Sequence, residues 1–502
     1  MLGLWWVHNI QFRETQPSSM PRTTLHLPPP DPGLSAPLFA QIANAITDHI
    51  RAGRLAAGDV LPGTRALARQ LGVDRDTVTA AYGDLEAQGL LASRPRIGTV
   101  VADPPRGVAV QRGLARQVGF ALDAGPPSLH PLPAAPPGAI VLAAGVPDLR
   151  LVPSELIARA YRRAMRRHAI AALGYTTATA GHPRLRSALA HLVRDTRGIA
   201  ATADEIMVTR GSQMALDLVA RAIVRPGDVV CVEALGYRPS WAALERAGAR
   251  LIGVPVDAGG IDVDALARIC ARTAVRLVYV TPHHQYPTTA VLTAGRRARL
   301  LGLARQHGIA ILEDDYDHEF HYEGRPVLPL ATTDRHGAVV YIGTLSKILA
   351  PGLRLGFVVA PRPLIDRLAR ERYLVDRQGD HALELAIAEL IEDDELGRHT
   401  RKMRRIYHAR RDALAAALRD QLGDRVRFHV PTGGIALWIE TTPGLDPDRW
   451  YKRGLAHGVV FQPGSAFSLA GKRVPAARLG YAACTEAEIR LAVRRLAQCS
   501  RP

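Results

Sequence analysis

The segment Gly343-Thr344-Leu345-Ser346-Lys347 follows the apolar run Val339 to Ile342, and Arg354-Leu355-Gly356-Phe357 lies a short loop beyond it. A β-branched run that ends in hydroxyls and a lysine sets that lysine at the end of a strand, where open parallel sheets form their ligand crevice. A Schiff base needs an amine on a fixed loop, and hydroxyls with a nearby arginine can hold a cofactor phosphate. A lone lysine is usually a solvated surface residue. Here lysine occurs only at Lys347, Lys402, Lys452 and Lys472, and Lys347 alone sits in such a context.

Working outward, short β-branched runs alternate with amphipathic helices: Glu205 to Val208, Asp228 to Val232, Leu277 to Val280, Ile309 to Leu312, Val339 to Ile342 and Phe357 to Val359. Such alternation predicts an α/β domain with a mostly parallel sheet. The informative residues again fall just after strands. Ile309 to Leu312 runs into Glu313-Asp314-Asp315-Tyr316. A carboxylate such as Asp314 can keep a pyridine nitrogen protonated, and the Tyr316 hydroxyl can bond a phenolic oxygen on the same ring. Taken alone, such an acidic cluster is more often a helix cap or a solvated turn. Thr209-Arg210-Gly211-Ser212-Gln213 precedes the predicted helix Ala215 to Val224, whose free amides suit a phosphate. Tyr237 follows another strand and can stack on a ring face, or can be an ordinary packed tyrosine. Thr281 to Thr288 is expected to line the same crevice. Its two histidines, His283 and His284, have no third ligand at a metal-site spacing, so no metal is expected.

The N-terminal part reads differently. Residues 1–34 carry no period and form a disordered or extended leader, with Met20 as an alternative start. Within 35–102, Leu38, Ile42, Ile46 and Ile50 recur at helical spacing up to Gly53. A second helix runs from Thr64 to a stop at Gly72, and a third from Asp76 to Gly89. Leu90 to Ala92 and Thr99 to Val101 flank Ser93-Arg94-Pro95-Arg96-Ile97-Gly98, a hairpin with a basic tip. Two helices joined by a tight turn, followed by such a hairpin, suit a winged helix-turn-helix that reads a DNA major groove. Arg65, Arg75, Thr77, Arg94 and Arg96 are its candidate contacts; a protein-interaction module is the alternative. Residues 103–138 form a linker, with eight prolines between Asp103 and Pro137. Residues 139–502 form the α/β body.

Charge adds little to this. The net charge is +17, which favours a polyanionic partner in general. Yet the segment from Ser35 to Arg106 holds eight arginines against seven acids, so its contacts must come from placement. The arginine excess itself suits a GC-rich genome. Four cysteines without close pairing argue against a zinc finger or a disulfide framework, and so for a reducing, cytoplasmic setting. No apolar run approaches the roughly 18 residues of a membrane span.

Leu61-Pro62-Gly63-Thr64-Arg65, with Leu67-Ala68, Leu71-Gly72-Val73, Thr77-Val78, Ala81-Tyr82, Leu85 and Gly89-Leu90, resembles the head of the GntR family across Pro37 to Val101. Family members usually have Ser where Gly63 stands. From about Ala139 to Ala497 the motifs, in this order, resemble PLP-dependent aminotransferases of fold type I. The combination is similar to the MocR subfamily of GntR transcriptional regulators. The resemblance implies pyridoxal 5'-phosphate as cofactor, Lys347 as the aldimine lysine, Asp314 at the pyridine nitrogen, Tyr316 at the phenolic oxygen and Tyr237 as stacking partner. It places Gly211, Ser212, Gln213, Thr344, Ser346 and Arg354 around the phosphate. Arg478, in Arg478-Leu479-Gly480-Tyr481, matches the arginine that forks onto a ligand carboxylate. A homodimer, an operator in double-stranded DNA, and an effector that is an amino compound or PLP itself are likewise implied. The usual Pro-Thr-Gly stands here as Pro287-Thr288-Thr289, and the usual Asp-Pro before Gly-Tyr as Ala234-Leu235. An active aminotransferase with a vestigial head is the competing expectation, since an intact cofactor site serves both.

Overall fold

The computed structural model describes residues 25–103, 118–122, 135–142 and 145–500. The expectations for residues 1–19, for Met20 and for most of the linker lie outside these described residues. Two compact units divide between Pro126 and Pro127.

The first unit is a trihelical head with a hairpin. The apolar i+4 series folds as α1 (Leu38–Arg51) and buries Ile42 and Ile46. Next, α2 (Thr64–Leu71) closes on Gly72, whose φ of 67° is the left-handed C-cap that glycine adopts without a Cβ penalty. Then α3 (Arg75–Ala87) buries Val78, Ala81, Tyr82 and Leu85, one residue earlier in its start than the expected Asp76. The hairpin strands β1 (Leu91–Arg94) and β2 (Gly98–Val101) pair antiparallel with Arg94 opposite Gly98. The leader differs from expectation at its end. Leu25 and Leu27 pack into the head core, and Gln70 Nε2 donates to the Leu25 carbonyl at 2.7 Å. Two leucines spaced across a short extended segment were enough to find that apolar surface.

The second unit is built on a seven-stranded sheet. Its strands are β3 (Ile206–Thr209), β4 (Val229–Glu233), β5 (Arg250–Val254), β6 (Val275–Val280), β7 (Ala310–Asp315), β8 (Val339–Thr344) and β9 (Gly356–Val359), in the order β3-β9-β8-β7-β6-β4-β5. All neighbours run parallel except β9, which is antiparallel to both β8 and β3. This is the mostly parallel sheet that the alternation of strands and helices predicts. Strands β3, β4 and β8 are buried along their whole length, because helices cover both faces of such a sheet. Leu216, Val219 and Leu244 pack with Leu277 and Ile342 in one layer, while Leu185, Leu189, Phe357 and Leu390 share another. At roughly 1.5–3 kcal/mol for each fully buried large apolar side chain, these layers hold the strand ends in place.

A second sheet was not anticipated. Strands β10 (Val426–Arg427), β11 (Ala436–Thr441), β12 (Gln462–Pro463) and β13 (Ala476–Gly480) pair antiparallel in the order β10-β11-β13-β12. It carries Arg478 on β13 and packs with Leu414, Leu418, Trp450 and Ile489. Among the described residues, no helix is long and apolar enough to cross a membrane.

Candidate cofactor and DNA-binding sites

A cavity of about 280 Å³ opens at the C-terminal ends of β6, β7 and β8. Nine of the expected residues line it: Ser212, Gln213, Tyr237, Asp314, Tyr316, Thr344, Ser346, Lys347 and Arg354. Their convergence follows from the sheet: Asp314 and Thr344 lie at the ends of β7 and β8, Tyr237, Tyr316, Ser346 and Lys347 in the turns after strands, Arg354 just before β9, and Ser212 and Gln213 in the first turn of the helix Gly211–Ile223. Gly211 belongs with them. A Cβ there would stand 3.0 Å from Arg354 Nη2, so the missing side chain lets the guanidinium lie across the helix start. Arg354 Nη2 donates to the Arg210 carbonyl at 3.0 Å, which fixes the cation beside the free amides of that helix. Ser346 N donates to Thr344 Oγ1 at 3.1 Å, folding the hydroxyl loop back on itself.

Lys347 Nζ donates to the Gly145 carbonyl. Burial, together with the Arg478 guanidinium, lowers its amine to about 8, against a partial upward pull from Asp314. Asp314 is buried, and burial raises it to about 6 although the Tyr279 hydroxyl donates to its Oδ2 at 2.8 Å. Burial also pushes the Tyr237 phenol up to about 12. The Tyr316 hydroxyl donates to the His284 carbonyl at 3.0 Å and accepts from Arg478 Nη2 at 3.4 Å. Arg478 is fully buried, lies 4.4 Å from the centre of the Tyr286 ring, and leaves Nε and Nη1 without a hydrogen-bond partner.

Sequence reasoning missed several wall residues. Gly145, Val146, Tyr279 and Gln462 also line the cavity. Tyr279 reads as core because it lies inside a β-branched strand, and Gln462 stands opposite Arg478 in the small sheet. Of the run Thr281 to Thr288, the cavity takes Thr281 and Tyr286. His283 and His284 are instead packed away from solvent, 4% and 2% exposed, and His284 Nδ1 meets Asp317 Oδ1 at 2.8 Å.

In the head, Arg65 on α2, Arg75 at the first position of α3, and Arg94 and Arg96 at the hairpin tip are all exposed, while Thr77 is half-buried. Arg96 takes a left-handed φ of 66° at the turn.

The aminotransferase class I and II family model matches residues 138–496, and the model of bacterial regulatory proteins of the gntR family matches residues 38–101. The probable rhizopine catabolism regulatory protein MocR of Rhizobium meliloti is 34% identical over 90% of this chain and 91% of its own length. This chain belongs to the MocR subfamily of GntR-family regulators. The chain is also similar to the HTH-type transcriptional regulator TauR of Rhodobacter capsulatus, 31% identical over 94% of this chain and 98% of that protein. The body of this MocR-type chain is also similar to solved aminotransferases. LysN, the alpha-aminoadipate aminotransferase of Thermus thermophilus, complexed with N-(5'-phosphopyridoxyl)-L-leucine, superposes with a TM-score of 0.68 at 30% identity, covering 72% of this chain and 92% of LysN.

Pyridoxal phosphate fits the residues present. The Gly211 gap under Arg354 is a cradle that a Cβ would fill, and the unpartnered Arg478 Nε and Nη1 lack the anion that would satisfy a buried guanidinium.

Proposed function

We propose that this MocR-type regulator binds pyridoxal phosphate in the cavity at Lys347 and uses it to sense an amino compound, or PLP itself, while the head binds operator DNA as part of a homodimer. When bound, the cofactor supplies an aldehyde carbon open to amine exchange and a ring that withdraws electrons. The observation that carries the reading is the meeting of Lys347, Asp314 and Arg354 in one cavity beside the unpartnered atoms of Arg478.

Each residue then has a physical task. Lys347, lowered to about 8, keeps a usable share of neutral amine near neutral pH for covalent anchoring. Asp314 holds a proton on the ring nitrogen, and an ionised partner there would remove much of the desolvation penalty that raises its carboxyl. Tyr237 covers a ring face and Tyr316 offers its hydroxyl to the phenolic oxygen. Gly211, Ser212 and Gln213 present the helix start to the phosphate, with Thr344, Ser346 and Arg354 around it. Arg478 forks onto the carboxylate of the effector. Arg65, Arg75, Thr77, Arg94 and Arg96 contact the DNA.

The purified protein is expected to be yellow, and Lys347→Ala to abolish the visible band while the chain stays folded. A band that survives Lys347→Ala but disappears on replacing Lys402, Lys452 or Lys472 refutes the assignment. Active transamination is the second reading, favoured by 34% identity over 72% of this chain to the aromatic-amino-acid aminotransferase 1 of Thermococcus litoralis. Multiple-turnover assays with amino donors and keto acids separate the two.

A further inference from the structure

Successive side chains on a strand point to opposite faces, so where Asp314 turns to the cofactor cavity, Asp315 turns away from it. There it meets His283 and His318. All three are buried, and one ligand-type atom from each lies within 4.8 Å of the other two.

The surrounding contacts decide which atoms face the cluster. His283 Nδ1 lies 3.1 Å from the Val327 carbonyl, and His318 Nε2 lies 3.2 Å from the Thr196 carbonyl. A carbonyl only accepts, so each of these nitrogens carries a proton and the other nitrogen of each neutral ring presents a lone pair. His283 Nε2 is buried and has no hydrogen-bond partner. His318 Nδ1 stands 2.9 Å from Asp315 Oδ2, a pairing that, against burial, pulls the His318 ring up and the Asp315 carboxyl down, and Asp315 Oδ1 is unpartnered. Asp315 Oδ2 is already occupied by the Tyr341 hydroxyl at 2.9 Å. With the His318 ring neutral, three electron-pair donors therefore converge on one another.

A proton on His318 would satisfy that ring and Asp315, yet it would leave His283 Nε2 as a buried orphan, at a cost of about 1–3 kcal/mol. A cation satisfies all three. Two imidazole nitrogens and a carboxylate are the donor set of zinc-class divalent ions. The carbonyls of Val327 and Thr196 are also the outer partners that ligating histidines commonly use to fix their tautomer. Two guanidiniums face the cluster: Arg197, which donates to the Tyr341 hydroxyl at 2.7 Å and is paired with Glu319, and Arg297, which acts on His283 and is itself held by Glu313 and Asp315.

We infer that His283, Asp315 and His318 form a buried site for a zinc-class divalent ion, which ties the end of the strand bearing Asp314 to the turn leading to Tyr286. Spacing along the chain gave His283 and His284 no third ligand; the fold brings two from β7 and the turn after it. The inference stands apart from the cofactor reading, because none of the three residues lines the cofactor cavity.

The test is a Co²⁺ titration of untagged, chelator-treated full-length protein, followed through the d–d bands at wavelengths beyond any cofactor absorption. The expected result is intense bands saturating at a single ion per chain, displaced by Zn²⁺, with a rise in Tm when Zn²⁺ is added. His283→Gln and His318→Gln are each expected to lose the bands and the Tm gain. Binding should weaken by more than the roughly 10- to 100-fold that loss of an outer-shell partner costs. Co²⁺ on exposed histidines is six-coordinate and nearly colourless, so it does not mimic this signal. Weak bands only in the wild type overturn the site, as do strong bands that persist in either variant. Should the variants fail to fold, the wild-type titration decides alone.

Discussion

Burial and the Arg478 guanidinium lower the Lys347 amine to about 8, whereas an unfolded lysine titrates near about 10.4. The folded group thus binds its proton less tightly than the unfolded one. Stability of the cofactor-free protein is expected to rise as pH climbs from about 8 towards about 10, since the unfolded chain holds the extra proton in that window. Competitive amine labelling checks the value: Lys347 should become reactive with a midpoint near 8, well before a solvated lysine does. A midpoint near that of a free lysine would remove the reason for treating this amine as activated. Thr289 makes a second argument at this scale. It occupies the place of the family's usual glycine and adopts a φ of 62°, where a β-branched side chain crowds its own backbone at a cost of about 1–2 kcal/mol. Thr289→Gly is expected to raise Tm by the part of that cost left after glycine's extra unfolded-state entropy, about 0–1 kcal/mol. Thermal unfolding measures it, and a fall in Tm would show that the Thr289 side chain contributes more than its backbone costs.

In the head, the candidate contacts Arg65 on α2, Arg75 on the first turn of α3, and Arg94 and Arg96 at the hairpin tip are exposed. If Arg75 or Arg65 contacts phosphate, its replacement by alanine weakens operator binding and lowers the salt slope by about 1 for that residue, with the visible band untouched. Unchanged affinity in both variants would argue against the docking drawn for these helices. Elements this regular were legible because each carries its own punctuation: Gly72 closes α2 with a left-handed residue, and β-branched runs mark the central strands. The small sheet was not legible, because β10 and β12 have two residues each and show no period. Within the site, residues that follow strands could be named in advance, whereas Tyr279 could not. Its hydroxyl finds Asp314 only when β6 and β7 pair in register. The metal-type cluster was hidden for the same reason. His283 comes from a loop, Asp315 from a strand and His318 from the turn after it, so only the fold makes them neighbours.

At the scale of the molecule, two compact units that divide between Pro126 and Pro127 pose a thermodynamic question. A ligand in the body can alter DNA binding only if it prefers one of two arrangements of the protein, and the shift cannot exceed its difference in affinity between them. On the proposed reading that difference comes from the ligand's carboxylate on Arg478, whose Nε and Nη1 lack partners without it. A cognate amino ligand is therefore expected to change the cofactor spectrum and the operator affinity together, by about 5- to 150-fold for a coupling of about 1–3 kcal/mol. Linkage requires the converse: saturating operator DNA must change the ligand's affinity by the same factor. Arg478→Ala is expected to keep the visible band and basal DNA binding while losing both halves of that coupling, because the cation that distinguishes the ligand is gone and the head is untouched. If PLP itself is the effector, DNA binding follows cofactor occupancy with no amino ligand, and Arg478→Ala has no effect on the response. Fast multiple turnover, combined with operator binding indifferent to cofactor and ligand, would leave the regulator with no means of hearing its body, and the aminotransferase reading would then account better for the cavity.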